Sequence, residues 1–231
     1  MPFARYALFH TAPKGPLADF GAAWLGWNLA TGERPDAPVI DALPAPAREL
    51  TKAPRKYGFH GTIKPPFRLA RDTSVTALTQ ALAEFCAQTP PVSLQGLELT
   101  RLGRFLALTV IGDTAPLDAL AAQVVTSFDR FRAPLTASEQ ERRRGRPLTP
   151  AQEALLQRWG YPFVLDEFKF HMTLTDRLPR AAAKQCEAAL LPVLQPLLPR
   201  PFVLDALSLC GEDPDGMFHV LSRHPLSGAA S

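Results

Sequence analysis

The sequence has few features of a membrane protein, a disulfide-bonded protein or a metalloprotein. Its three cysteines, Cys86, Cys186 and Cys210, are odd in number and far apart, which excludes a disulfide framework and a paired metal site. No segment approaches the roughly 18 consecutive apolar residues of a membrane span, and the first residues lack the basic and apolar regions of a secretion signal. We therefore expect a cytoplasmic protein with free thiols and no membrane partner.

The charge and the glycine pattern exclude further classes. The net charge is only +3, which suits an anionic ligand but gives weak support for nucleic acid. The sequence contains no H-E-x-x-H, no C-x-x-C and no G-x-x-x-x-G-K-[ST] phosphate loop. These absences predict that the protein uses neither a metal nor a cofactor.

A four-element unit occurs twice along the chain. Each copy has a strand containing a histidine, an amphipathic helix, and two strands joined by a turn. The first copy is predicted at residues 56–64, 73–88, 92–100 and 105–111, and the second at 169–175, 180–191, 202–210 and 217–222. Prolines are expected to end the first strand at Pro65 and Pro66 and the second helix at Pro192, because proline lacks the N–H donor.

Other elements surround the two copies. A strand at 5–10, a helix at 17–25 and an irregular segment at 31–54 come first, and helices near 116–131 and 149–159 separate the copies. The duplication predicts an α+β fold of two pseudo-symmetric antiparallel-sheet lobes, with helices outside and a central cleft. Lobe 1 would span about residues 1–112, a helical insert 113–160, and lobe 2 161–231.

Two matching motifs contain the candidate catalytic residues. Both histidine strands contain Phe-His-x-Thr followed by an aliphatic residue. Because side chains alternate along a strand, His60 and Thr62 share one face, and His171 and Thr173 share the equivalent face. The opposite faces are apolar, so each strand can bury one side and present an imidazole and a hydroxyl on the other.

These groups suit phosphate ester chemistry. Imidazole titrates near pH ~6.5, so one ring can accept a proton while the other donates one. The threonine hydroxyls can donate hydrogen bonds to phosphate oxygens. We expect His60 and His171 to act as a general acid/base pair and Thr62 and Thr173 to bind phosphate, and the pattern does not say which histidine is the base.

Several other residues are candidates for substrate binding. Lys64, Lys169 and Thr175 fall on the polar faces, and Arg5 and Tyr6 on the first strand could line the cleft. The arginine-rich run at residues 142–146 is interpreted as a solvated connection between insert helices. The alternative is a flap whose arginines, Arg143 among them, clamp a second phosphate. The other histidines lack a hydroxyl residue two positions on and are predicted to be structural or surface residues; they are His10, His219 and His224.

Over most of its length the chain resembles the 2H phosphoesterase superfamily, and within it a bacterial branch associated with phosphonate metabolism. Besides the two H-x-T motifs, the matching segments are Arg5-Tyr6-Ala7-Leu8, Ala23-Trp24-Leu25-Gly26, Tyr57-Gly58-Phe59-His60, Lys64-Pro65-Pro66-Phe67 and Asp166-Glu167-Phe168-Lys169-Phe170-His171-Met172-Thr173-Leu174-Thr175. The resemblance implies a bilobal fold with both histidines facing one cleft. It also implies a role in phosphonate breakdown, where ribosyl phosphates occur.

Three functions are compatible with these observations. The preferred one is metal-independent hydrolysis of a cyclic phosphodiester on a small ribose-like or nucleotide substrate. The alternatives are processing of 2′,3′-cyclic or 2′–5′ ends of RNA, which the weak net charge disfavours, and a binding module without chemistry. A binding module does not need both histidines beside both hydroxyls. We expect a small phosphorylated substrate and a monomeric protein.

Overall fold

A computed structural model describes residues 3–145 and 147–229. Its strands are β1 (Arg5–Thr11), β2 (His60–Phe67), β3 (Val92–Leu94), β4 (Gly96–Leu102), β5 (Phe105–Ile111), β6 (Met172–Thr173), β7 (Phe202–Leu204), β8 (Ala206–Glu212) and β9 (Phe218–Pro225). Its α-helices are α1 (Pro16–Leu25), α2 (Ala47–Leu50), α3 (Lys52–Arg55), α4 (Val75–Gln88), α5 (Ala115–Ser127), α6 (Ala137–Arg143), α7 (Pro150–Trp159) and α8 (Arg180–Leu194). None of these helices combines the length and the apolar character needed to span a bilayer.

Seven strands form one antiparallel sheet in the order β4-β5-β6-β2-β1-β8-β9, and β3 pairs with β7 in a separate two-stranded sheet. The two histidine-containing segments therefore meet at the centre of the large sheet, where Gly61 of β2 pairs with Met172 of β6. The predicted α+β class with antiparallel sheet is confirmed. The central position of β2 and β6 brings both H-x-T motifs together.

The two halves of the chain exchange helices across this sheet. Helix α4 comes from the first repeat but packs on β8 and β9 of the second, and α8 packs on β4 and β5 of the first. Strands from both predicted lobes thus share one sheet. The boundaries near residues 112 and 160 stay a prediction about sequence segments, and the helices expected between them are present as α5 and α7.

The prediction that two prolines end β2 is wrong. The strand continues to Phe67, because Pro65 and Pro66 sit in a bulge. The ladder pairs Lys64 with Leu8 and Phe67 with Tyr6, so the two prolines oppose one residue of β1. Bulged residues make no ladder hydrogen bonds, and the missing N–H groups are tolerated there.

Four other predicted elements also differ from the structure. Pro192 lies inside α8, which continues because Leu190 and Leu194 remain buried. The strand expected at 169–175 has only two ladder residues, since the N–H groups of Leu174 and Thr175 both donate to one carbonyl, that of Leu106. The long strands expected at 92–100 and 202–210 each divide into two, because β3 and β7 leave the large sheet to pair with each other.

His10 is a structural histidine, as predicted, and the burial of its ring makes the stability of the protein depend on pH. Its ring is 1% exposed and packs against Phe170 and Phe202, and within the described residues its Nδ1 has no hydrogen-bond partner. Burial lowers the pKa of His10 from 6.5 to about 4. Between those pH values the unfolded chain binds a proton that the folded protein does not, so folding becomes less favourable as pH falls.

We predict that His10→Leu makes the free energy of unfolding less sensitive to acid. The decrease in the free energy of unfolding between pH 6.5 and pH 4 should become smaller by roughly 3 kcal/mol, because the unfolded variant has no imidazole at position 10 to bind a proton. Urea unfolding at several pH values measures this quantity. His224→Leu is the control, because the ring of His224 is only half-buried and should contribute less. Equal acid sensitivity in wild type and His10→Leu would contradict the prediction.

Candidate active site

His60 is the first residue of β2, and the backbone carbonyl of Gly58 orients its imidazole ring. Its Nδ1 lies 2.9 Å from the carbonyl oxygen of Gly58, which accepts the ring N–H. Nε2 is then the unprotonated nitrogen and accepts a hydrogen bond from the hydroxyl of Thr62 at 3.0 Å. Gly58 has φ of 66°, a conformation that favours glycine. The turn before β2 thus sets both the orientation and the tautomer of His60.

Aromatic rings hold the His60 imidazole in place. The ring centroid lies 3.9 Å from that of Phe9 and 5.9 Å from that of Tyr57. Burial among these groups lowers the pKa of His60 to about 4, although the Gly58 carbonyl opposes the shift and nearby His171 adds to it. His60 is therefore a neutral base at pH 7.

His171 is anchored in the same way as His60. Its Nδ1 lies 2.8 Å from the carbonyl oxygen of Lys169, two residues earlier in the chain. The Phe105 ring packs beside it, with 5.8 Å between centroids. Since Gly58 also precedes His60 by two residues, the repeat extends to the backbone contact that orients each imidazole.

The sheet register brings the two motifs face to face. Because Gly61 pairs with Met172 in antiparallel orientation, Thr62 lies opposite His171 and His60 lies opposite Thr173. Cβ atoms at such positions are about 5 Å apart, and diagonal neighbours such as the two histidines about 7–8 Å. The register therefore places these four polar side chains at neighbouring positions of two adjacent strands.

Close packing below these side chains requires a residue without a Cβ. Met172 is fully buried, and the ring of Phe170 occupies the volume that a Cβ at position 61 would need. Glycine at position 61 therefore allows the two strands to approach each other while Phe170 fills the core beneath them.

A groove opens beside two of these four side chains, His60 and Thr173. The histidine groove has a volume of 260 Å³, and its lining includes His60, Thr173, Tyr57 and Phe105. Thr175 also reaches its edge, but that hydroxyl accepts from the N–H of Leu106 and donates to the carbonyl of Asp176. These two hydrogen bonds to the backbone fix the chain directly after β6, so Thr175 has a structural role.

A second cavity lies next to the groove. This cationic pocket has a volume of 230 Å³ and is lined by 18 residues, of which seven are basic: Arg5, Lys56, Lys64, Arg68, Arg132, Arg142 and Arg143. Tyr57 lines both cavities. Of the candidates predicted for substrate binding, Arg5, Lys64 and Arg143 meet here.

The remaining candidates lie elsewhere. Tyr6 is buried in the main core, since it alternates with Arg5 along β1 and points to the opposite face. Lys169 has an exposed side chain, and its backbone carbonyl contacts the ring of His171. Sequence reasoning missed Lys56 and Tyr57 as lining residues, although Tyr57 begins the quoted Tyr57-Gly58-Phe59-His60 string and Lys56 directly precedes it.

The arginine-rich run is not a simple connection. Residues up to Arg143 belong to α6, which begins with a capping box formed by Thr136 and Glu139. Arg143 is half-buried with its guanidinium over the ring of Tyr161 at 4.6 Å. Arg144 is exposed and paired with Glu153, and Arg146 lies outside the described residues. Within residues 3–145 and 147–229, no cluster of three or more His, Cys, Asp or Glu is placed to hold a metal ion.

Comparison with known proteins identifies the family. The model of a family described as "Protein of unknown function (DUF1045)" matches residues 62–219, which is more than half of the chain. The chain belongs to the DUF1045 family. Two curated relatives carry the name "Ribose 1,5-bisphosphate phosphokinase PhnN". The protein from Janthinobacterium sp. (strain Marseille) is 38% identical over 97% of this chain and 51% of its own length.

The second relative, from Laribacter hongkongensis (strain HLHK9), is 32% identical over 75% of this chain and 40% of its own length. The DUF1045 chain thus spans about half the length of the curated relatives it matches.

Among solved structures, TT0787 of Thermus thermophilus is 15% identical with a TM-score of 0.46, over 98% of this chain and 100% of that one. E. coli LigT complexed with 3′-AMP is 13% identical with a TM-score of 0.43, over 98% and 99%.

We predict that Gly61→Ala destabilises this DUF1045 protein by roughly 1–3 kcal/mol, because the new methyl group overlaps the Phe170 ring. The free energy of unfolding from urea titration measures the cost. Phe170→Leu should make room, so Gly61→Ala should cost less in the Phe170→Leu background than in wild type. Equal costs in the two backgrounds would show that Phe170 does not limit the approach of the strands.

Proposed function

We propose that the protein is a metal-independent phosphoesterase that hydrolyses a cyclic phosphodiester of a small ribose-like substrate. The observation that carries this proposal is the paired arrangement of the H-x-T motifs on adjacent strands. Each imidazole is anchored through Nδ1 to a backbone carbonyl. Both Nε2 atoms are thereby left for proton transfer to and from a substrate bound between them.

The proposed reaction is a displacement at phosphorus. The oxygen of a water molecule attacks phosphorus while one histidine accepts the water proton through Nε2. The bond between phosphorus and a sugar oxygen breaks, and the protonated second histidine donates its proton to that oxygen. The product is a phosphate monoester, and proton exchange with solvent restores the pair.

His60 is the proposed base. Burial keeps its ring neutral near pH 7. The Nε2 lone pair already accepts a hydrogen bond from the Thr62 hydroxyl. His171 then supplies the proton to the leaving oxygen. When substrate binds, the hydroxyls of Thr62 and Thr173 would turn to donate to the phosphate oxygens, where negative charge increases in the transition state.

The relatives support a ribose phosphate as the ligand class. Their names refer to ribose 1,5-bisphosphate and to a phosphokinase. Those proteins are about twice as long as this chain, and this sequence has no G-x-x-x-x-G-K-[ST] loop to hold a nucleoside triphosphate. We therefore propose phosphodiester hydrolysis within phosphonate metabolism for this chain and not the kinase reaction.

We predict that His60→Ala and His171→Ala each lower kcat/KM for a ribose cyclic phosphate by roughly 10²–10⁴-fold, because each removes one proton-transfer group. Phosphorus NMR of the cyclic ester and its monoester product measures the rate. His224→Ala is the control, since its ring hydrogen-bonds Ser222 at the far edge of the sheet. Full activity in a His60→Ala/His171→Ala double variant, or complete loss of wild-type activity in EDTA, would contradict the proposal.

A second prediction concerns pH. The acid limb of the kcat/KM profile reports protonation of the base, and Phe9 is the ring closest to His60 among those that contact it. Phe9→Leu admits water beside the imidazole, so the pKa of His60 should rise from about 4 toward 6.5. The acid limb should then move to higher pH.

Phe218→Leu is the matched control for this measurement. Phe218 belongs to the same small apolar cluster and contacts Phe9 and Tyr57, so its replacement perturbs the packing without touching the imidazole. An acid limb that moves equally in both variants, or in neither, would argue against His60 as the base.

A further inference from the structure

The cationic pocket carries more positive charge than its neighbours neutralise. Glu139 is the only acidic residue among the described residues that line it. Glu139 forms a forked pair with Arg68, and Arg132 pairs with Asp129. Arg5 forms a forked pair with Glu212 across β1 and β8. These three arginines have their charge matched within the protein.

Three other cations of the pocket form no ion pair with a carboxylate of the described residues. Across the part of the chain that the structure describes, no carboxylate forms an ion pair with Lys56, Arg142 or Arg143. Lys56 lies over the ring of Tyr57, with Nζ 4.9 Å from the centroid. Lys56 and Arg143 are half-buried. Half-buried cations without counter-charges are costly, and a bound anion would offset that cost.

Arg143 is the most confined of these cations. Its guanidinium rests on the ring of Tyr161, and its pKa is lowered mainly by burial and further by the charge of Arg5. Arg5 and Arg143 thus bring two guanidinium groups to the lining of one pocket. An arginine pair of this kind suits a phosphate, whose oxygens accept forked hydrogen bonds.

The position of the pocket relates it to the catalytic centre. Lys64 of β2 lines the pocket, two residues after Thr62 and beyond an irregularity in the pairing of β2 with β1. Tyr57 lines both cavities, and its ring lies beside that of His60. The pocket and the histidine groove are therefore neighbours that share Tyr57.

We propose that the cationic pocket binds a second phosphate, a monoester on the same sugar whose cyclic phosphodiester lies between His60 and His171. The proposal rests on the proposed function and narrows its substrate to a phosphorylated pentose that carries two phosphate groups. Arg143 and Lys56 supply the unmatched charge, and Glu212 fixes the position of Arg5 at the pocket. The pocket would exclude cyclic phosphates that carry no second anion.

Binding of ribose 5-phosphate tests the pocket without any catalysis. Calorimetry with ribose 5-phosphate and with ribose should show binding of the phosphate only. Arg143→Gln and Lys56→Gln should each weaken it by roughly 10–100-fold. The control is Arg144→Gln, whose side chain is exposed, pairs with Glu153 and does not line the pocket. If His60→Ala weakens binding and Arg143→Gln does not, the monoester occupies the histidine groove and the proposal is overturned.

Turnover measurements then test the second-phosphate pocket and the proposed reaction independently of each other. A ribose cyclic phosphate is compared with the same compound carrying a 5-phosphate. The ratio of their kcat/KM values should favour the 5-phosphate, and Arg143→Gln should lower that ratio by roughly 10–100-fold while Arg144→Gln leaves it at the wild-type value. A wild-type ratio near one overturns the second-phosphate proposal alone. Absence of turnover of either compound, with ribose 5-phosphate still bound through Arg143, overturns the proposed reaction and leaves the pocket supported.

Discussion

The contact between β2 and β6 is the constraint on which the site depends. One pair of residues, Gly61 and Met172, holds the two strands in register, and that register decides which side chains face each other. A shift of either strand by one residue would turn its imidazole into the core, because strand side chains alternate with a period of two. The absence of a side chain at position 61 and the Phe170 ring beneath it are therefore as important for the chemistry as the histidines.

The two H-x-T motifs and the α+β class could be predicted because they follow from local patterns. Period-two alternation placed His60 and Thr62 on one face, and the repeat predicted a second copy around His171. Helix α4 lies within the predicted range 73–88, and it begins with a local cap in which the Ser74 hydroxyl accepts from the N–H of Ala77. Such features depend on a few neighbouring residues, so a single sequence contains them.

What could not be predicted depends on distant contacts. The bulge that accommodates two prolines in β2 requires the register of β1, and the two-residue length of β6 depends on the carbonyl of Leu106. The cationic pocket combines a strand residue, Arg5, with a helical one, Arg143, that lies far along the sequence. One signal was available and overlooked: Thr136 and Glu139 have capping-box spacing, which predicts a helix where the arginine-rich run begins.

The exchange of helices across the sheet has a consequence for how the chain folds. Helix α4 rests on strands formed more than a hundred residues later, and α8 rests on strands formed before the insert. Neither repeat can cover its own apolar strands with its own helix, so the contacts of highest sequence separation must form before either half is stable. The two halves are interlocked, and separate fragments containing one repeat each would need association with each other to complete a hydrophobic core.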